Sequence, residues 1–358
     1  MSWCPWLGMG SSHGQQRQGV TGRGKSSLRT LCTEIPAALA PQTRAAEVPA
    51  ATVGRMTAPD ETTLVGEWRA PAQMLDDQSY DGHASVHDGD TAASLGLAGA
   101  PIEGPTHFSQ FDPLAQQLWG SAWFERGCIS AHFQTMVVAG DEVQATLTPT
   151  AANIARIEAH KRDGQTVLVG TVSLGPDHPP TELDQRRAKA LAPGELFVLD
   201  RLALGQRSND GEVVVMTRDQ SNGALYPFSL EQKLASITEP NPWYTAAGGV
   251  SSPWGRAIVP TEMASVLSGK AGSRFPVRTP SLGLFLDLEI RMFAGPLFVD
   301  EPYVIGREIV GLSQSRKTES YWINTTLTTQ AGVLAATVLL HSGVFKASYP
   351  HYPQDRLA

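Results

Sequence analysis

With 358 residues the chain is long enough for about two ordinary domains, each with its own core. A formal net charge of -7 offers no basic field for a polyanion, so nucleic acid is not an expected partner, and no window reaches the roughly 18 consecutive apolar residues of a membrane span. Cys4, Cys32 and Cys128 stand far apart with no CxxC spacing, so neither a disulfide framework nor a metal site is expected, no cofactor is called for, and a reducing, cytoplasmic setting fits.

Residues 1–58 carry six basic residues (Arg17, Arg23, Lys25, Arg29, Arg44, Arg55) against two acids (Glu34, Glu47), with no periodic apolar face. An organelle-targeting leader is one reading. A disordered extension ahead of Met56, from an upstream start codon, is the simpler one. The pattern then predicts a first domain over 59–180, a linker over 181–195 and a second domain over 196–358.

In the first domain a helix should open at Gly104-Pro105, since proline suits the first helical turn, and Pro113 should end or kink it. "CISAHF" (128–133), "DEVQATL" (141–147), "IARIEAH" and "QTVLVGTVSL" read as antiparallel strands, the last two joined by a hairpin at Asp163-Gly164. The polar, Pro-bounded stretch 176–195 reads as a connection. The order then repeats. "EVVVMT" (212–217) is a strand and "SLEQKLASI" (229–237) opens with Ser229 and Gln232 in capping-box spacing. "GRAIVPTEMASVL" (255–267) aligns with the first helix region, Ile258 on Ile102, Pro260-Thr261 on Gly104-Pro105 and Met263 on His107. Four more strand candidates follow. One helix with a run of long antiparallel strands, given twice, predicts a duplicated α+β unit.

The stretches "VHDGDTAASLGLAGAPIEG" (86–104), "ISAHFQTMVVAGDEVQATL" (129–147), "EPNPWYTAAG" (239–248) and "IVPTEMASVL" (258–267) resemble the MaoC-like acyl dehydratases and (R)-specific enoyl-CoA hydratases in their two-hotdog form. The likeness runs over about residues 62 to 350. It implies a double hotdog, two curved antiparallel sheets each wrapped around a helix. It also implies addition of water to a trans-2-enoyl thioester, or the reverse, with an acyl-CoA or acyl-carrier thioester as partner and a homodimer compatible. An Asp and a His flanking Asn-Pro would then supply base and acid, and the glycine and helix start that follow would hold the thioester oxygen.

Carried over residue by residue, the pattern gives His87 as the family histidine. Gly82 stands where its aspartate is expected, leaving Asp81, one step away, and Asp88 as the nearest carboxylates. Gly104 is the candidate oxyanion donor, as a residue whose backbone a thioester oxygen can approach. In the second half Glu239, Asn241-Pro242 and Tyr244 keep the spacing, with Glu for Asp and Tyr for His; tyrosine, with a pKa of about 10, is a poor base near neutrality. Pro260 has no N–H to offer, which fits a second half without chemistry. His107 reads as a wall of the core or acyl tunnel, together with Phe108, Phe111, Trp119, Met263 and Leu267. Arg256 and Arg316 are either solvated surface charges or anchors for the phosphates of CoA. Three alternatives stay open beside the hydratase: His87 merely hydrogen-bonding a loop and Glu239 an ordinary surface acid, a scaffold or partner subunit that binds acyl-CoA without turnover, and an acyl thioesterase.

Overall fold

The structure, a computed structural model, describes residues 63–79, 85–190 and 192–357. The extension expected over 1–58 and the candidate Asp81 lie outside the described residues. The first half runs β1 (Leu64–Val65), α1 (Gly89–Ser94), a 3-10 helix (Gly104–Phe111), α2 (Asp112–Trp119), α3 (Ala122–Arg126), β2 (Gly127–Phe133), β3 (Val143–Ala151), β4 (Ile154–Lys161) and β5 (Thr166–Leu174). After α4 (Glu182–Ala188) come β6 (Arg207–Val215), α5 (Leu230–Ser236), a 3-10 turn (Pro242–Tyr244), α6 (Ala246–Gly249), α7 (Met263–Gly269), β7 (Gly283–Met292), β8 (Pro302–Gln314), β9 (Thr318–Thr329) and β10 (Leu334–Phe345).

All ten strands join one antiparallel sheet in the order β1-β3-β4-β5-β2-β7-β10-β9-β8-β6. The order β3-β4-β5-β2 repeats as β8-β9-β10-β7, so the sheet is two copies of one unit joined through β2 and β7. The helical segments Gly104–Trp119 and Met263–Gly269 carry the buried faces of the two copies. This is an α+β double hotdog. Strand alternation brings it about: Val143, Ala145 and Leu147 on β3, and Ala155, Ile157 and Ala159 on β4, all point to the core. The Asp163-Gly164 hairpin forms as expected, with Gly164 at φ +83.

The first helix differs from expectation. Gly104–Phe111 is a 3-10 helix in which every residue from Pro105 to Phe111 is buried, and Pro113 starts α2 instead of ending it. Proline has no N–H to give, and the first turn of a helix needs none. The stretch read as a plain connection holds α4, whose Thr181 and Asp184 form a reciprocal capping box and whose Leu183 is fully buried. One apolar anchor in seven residues makes no readable periodicity. The expected capping box at Ser229 and Gln232 is present on α5.

At the seam β2 runs against β7, from Cys128 opposite Arg291 to His132 opposite Asp287. Asp287 is 1% exposed. Its carboxylate meets His132 Nδ1 at 2.8 Å, His341 Nδ1 on β10, and Arg186 Nε of α4 in an ion pair at 2.9 Å. Burial alone would raise its pKa, but the hydrogen bonds from the two histidines and the charge of Arg186 outweigh it and hold the carboxyl down at about 2. The folded pKa lies below the ordinary aspartate value of about 3.9, so this stabilisation is complete above that value and disappears as pH falls towards about 2. Asp287→Asn is expected to lose about 2 kcal/mol at neutral pH and to flatten the decline of urea midpoint between about pH 4 and pH 2. Urea melts of both proteins across that range check it; an unchanged acid decline would show that Asp287 is not its source.

Candidate active site

A cavity of about 810 Å³ lies between the two halves. The second half supplies most of its apolar wall, including Leu284, Leu286 and Leu288 of β7 and Val338 and Leu340 of β10. The first half supplies His87, Glu103, Gly104 and His107.

His87 is set by its neighbours. Its backbone N–H donates to Ser85 Oγ at 3.1 Å, and its ring Nδ1 lies 2.6 Å from the carbonyl oxygen of Pro101. A carbonyl can only accept, so Nδ1 carries the proton and Nε2 keeps a free lone pair in the neutral ring. Burial lowers its pKa, against a smaller opposing effect of the Pro101 carbonyl. The ring is thus a neutral base of fixed tautomer.

The Pro101 segment is held like a strand: it bridges Val138, and Ile102 N–H donates to Val137 O at 2.7 Å. Glu103 and Gly104 follow. Gly104 opens the 3-10 helix, and Pro105 after it has no N–H. A Cβ on Gly104 would lie 2.9 Å from the Phe133 ring on the cavity wall, so the close approach that demands glycine here is that of an aromatic side chain. His107 is buried with Nδ1 unpartnered; burial, followed by the fields of Lys233 and Lys161, pushes its pKa down to about 4.

Other predicted site residues are placed elsewhere. Asp88 is exposed and caps α1, accepting from Thr91 N–H at 2.8 Å, a bond that lowers its pKa. Glu239 makes a bidentate pair with Arg69 at 2.6 and 3.1 Å. Asn241 caps the 3-10 turn that carries Tyr244, whose hydroxyl donates to the buried Asp112 Oδ2 at 2.9 Å. The Glu-x-Asn-Pro-x-Tyr spacing is therefore spent on a capped turn, a half-buried ion pair with Arg69 and a hydrogen bond to the buried Asp112. Phe108, Phe111, Met263 and Leu267 belong to the packed core, Phe108 stacking behind Phe133, and Trp119 donates to Ala152 O at 3.1 Å. Arg256 pairs with Glu301 and covers Phe298, and Arg316 is exposed at the β8–β9 turn.

The repeat also has a different register. Ile258 bridges Phe298 as Pro101 bridges Val138, and Val259 N–H donates to Leu297 O as Ile102 N–H does to Val137 O. Gly104 therefore matches Thr261, one place on from the predicted Pro260, and His107 matches Ala264. Glu103, which the sequence reading passed over, is buried on the cavity wall with Oε1 unpartnered. A lone acid in the apolar run "GAPIEGP" is the signal, since a buried acid is rare without a partner.

Among the described residues no three or more His, Cys, Asp and Glu side chains gather as a metal site, and no helix is long and apolar enough to cross a membrane. No family model matches the sequence, and no curated protein matches it. Solved structures that it resembles include a MaoC domain protein dehydratase from Chloroflexus aurantiacus, at 11% identity and TM-score 0.48 over 82% of this chain and 99% of that one. A Mycobacterium tuberculosis protein with a double hotdog fold matches at 12% identity and TM-score 0.47 over 78% and 96%. The dehydratase domain of PpsC from the same organism, in complex with C12:1-CoA, matches at 12% identity and TM-score 0.41 over 81% and 97%.

Asp112 accepts from Tyr244, from Trp123 Nε1 at 2.8 Å and from Thr261 Oγ1 at 2.7 Å, and burial raises its pKa to about 6. Tyr244→Phe takes one donor from a buried acid and is expected to lower stability by about 1–3 kcal/mol. Thermal denaturation of that variant checks the structural role; an unchanged midpoint would refute it.

Proposed function

We propose that the protein adds water reversibly across the double bond of an enoyl thioester carried by CoA or an acyl carrier, in the cytoplasm. The observation that carries this reading is His87: a half-buried imidazole whose tautomer is fixed by Pro101 O, on the wall of a largely apolar cavity beside the start of the Gly104 helix. Nε2 takes a proton from water, the oxygen adds to C3, the thioester oxygen gains charge as the electron pair moves towards it, and C2 then takes a proton that the imidazolium replaces, for a net addition of one water. In this reading the N–H of Gly104, a residue on the cavity wall, donates to that oxygen. The acyl tail lies along the apolar strands of the second half.

One feature favours a second reading, a scaffold that binds acyl-CoA without turnover: Asp88 caps a helix and Glu239 pairs with Arg69, so neither serves His87 as its carboxylate. The experiment mixes the purified chain with trans-2-enoyl-CoA esters of several chain lengths and follows the conjugated enoyl absorbance. Hydration is expected in the wild type and a loss of about a hundredfold or more in His87→Ala. Because the pKa of His87 is lowered, the acid limb of the rate should fall below the ordinary histidine range near 6.5. Binding without turnover would establish the scaffold, and release of free thiol a thioesterase.

A further inference from the structure

Hydration needs a proton for C2 at the stage when His87 is taking one from water and the Gly104 N–H is holding the thioester oxygen, which leaves a place for a second acid. We infer that Glu103 is the second catalytic group of this cavity, a neutral carboxylic acid because it is buried while the neighbouring ammonium, Lys233, is paired with Glu262, and that it donates its proton to C2 of the enoyl thioester. This rests on the hydratase reading above.

The placement is geometric. Glu103 follows the Pro101 carbonyl that fixes His87 by two residues, and both side chains line one cavity. Glu103 is 7% exposed, its Oε1 has no partner, and its own carbonyl caps the helix start by accepting from Thr106 N–H. An unpartnered buried oxygen on a residue that lines a cavity is an expensive feature unless a ligand meets it.

Charge counting gives the protonation state. Lys233, 4% exposed, donates to Thr106 Oγ1 at 3.2 Å and lies 3.4 Å from Glu262 Oε1. One ammonium thus faces two buried carboxyl groups, Glu262 in direct contact and Glu103 at longer range. Both cannot ionise without a surplus buried charge, so one holds a proton. Burial raises the pKa of Glu262 as well, but there Lys233 in direct contact and the Ser109 hydroxyl oppose it, so Glu262 keeps the ion pair and Glu103 the proton. Burial raises Glu103 to about 7, Lys233 opposing and Glu262 adding to the effect. The cavity is also lined by His87 from the loop before α1, His107 on the 3-10 helix, Tyr226, Arg274, Tyr321 and the buried Arg307, which donates to the carbonyls of Gly272 and Ser268, and Lys161 at the end of β4 acts through its field on His107.

The step balances. A water O–H bond breaks to His87 Nε2, the oxygen bonds to C3, and the π pair passes to the thioester as an enolate. The Glu103 O–H then breaks to form C2–H. The imidazolium returns its proton to the Glu103 carboxylate through solvent, and the net change is addition of one water.

The test compares wild type, Glu103→Gln and Lys233→Met of the full chain on a trans-2-enoyl-CoA ester across pH. In Glu103→Gln, kcat should fall by about a hundredfold or more with KM within about threefold. The wild-type kcat should decline above about pH 7 as Glu103 ionises, and this alkaline limb should move upward in Lys233→Met, which loses the ammonium that favours the carboxylate. The wild-type limb keeps the test valid if either variant fails to fold. Retention of more than about a third of kcat in Glu103→Gln, or a wild-type rate flat through about pH 9, would overturn the role of Glu103 while leaving the hydratase standing. A wild type that binds the ester without turnover would overturn both.

Discussion

The buried carboxylate of Asp287 is the constraint on which the two-part architecture turns. An isolated charge at that depth would be costly, and three cationic or hydrogen-bonding partners from three segments, β2, β10 and α4, remove the cost together. Strand alternation then carries the effect to the cavity. On β7, Asp287 faces outward while Leu286 and Leu288 face the cavity; on β10, His341 faces outward while Val338 and Leu340 face it. The polar clasp on one side of the sheet thus fixes the apolar wall on the other.

Among the buried acids on the inner side, Asp112 and Glu103 stand in contrast. Asp112 is fully surrounded by donors from Trp123, Tyr244 and Thr261, and locks the first helix to the second half. Glu103 is left with an unpartnered oxygen on the cavity. Acids of similar burial are thus assigned to different tasks by how completely their oxygens are satisfied.

The strands were legible because a half-buried strand writes its period of two into the sequence; their repetition gave the duplicated α+β unit, and the resemblance of four stretches to a known family implied the double hotdog. The α4 helix was hidden because its docking depends on Leu183 and a capping box, too little for a periodic signal. At Pro113, local rules allowed a helix to end or to begin, and burial from Pro105 onward decided for beginning. In the site, His87, Gly104 and His107 were named from sequence and lie on the cavity wall. Glu239 and Tyr244 show how spacing can survive while its use changes: their partners Arg69 and Asp112 are 170 and 132 residues away in the chain, beyond any local pattern. Glu103 was missed because spacing has no means of marking an acid whose importance lies in the partner it lacks.

The seam between β2 and β7 pairs unlike strands, with Cys128 opposite Arg291 and His132 opposite Asp287. Two separate chains of either half would sort into like and unlike pairs according to concentration and relative affinity. Joined by α4, the halves meet at an effective concentration set by the tether, and the unlike pair is the one the chain always presents to itself. Each half is thereby released from having to complement its own copy. One could keep the polar loop of His87 and Glu103 while the other became the apolar wall of the cavity, an inequality that a symmetric dimer would have to express twice or not at all.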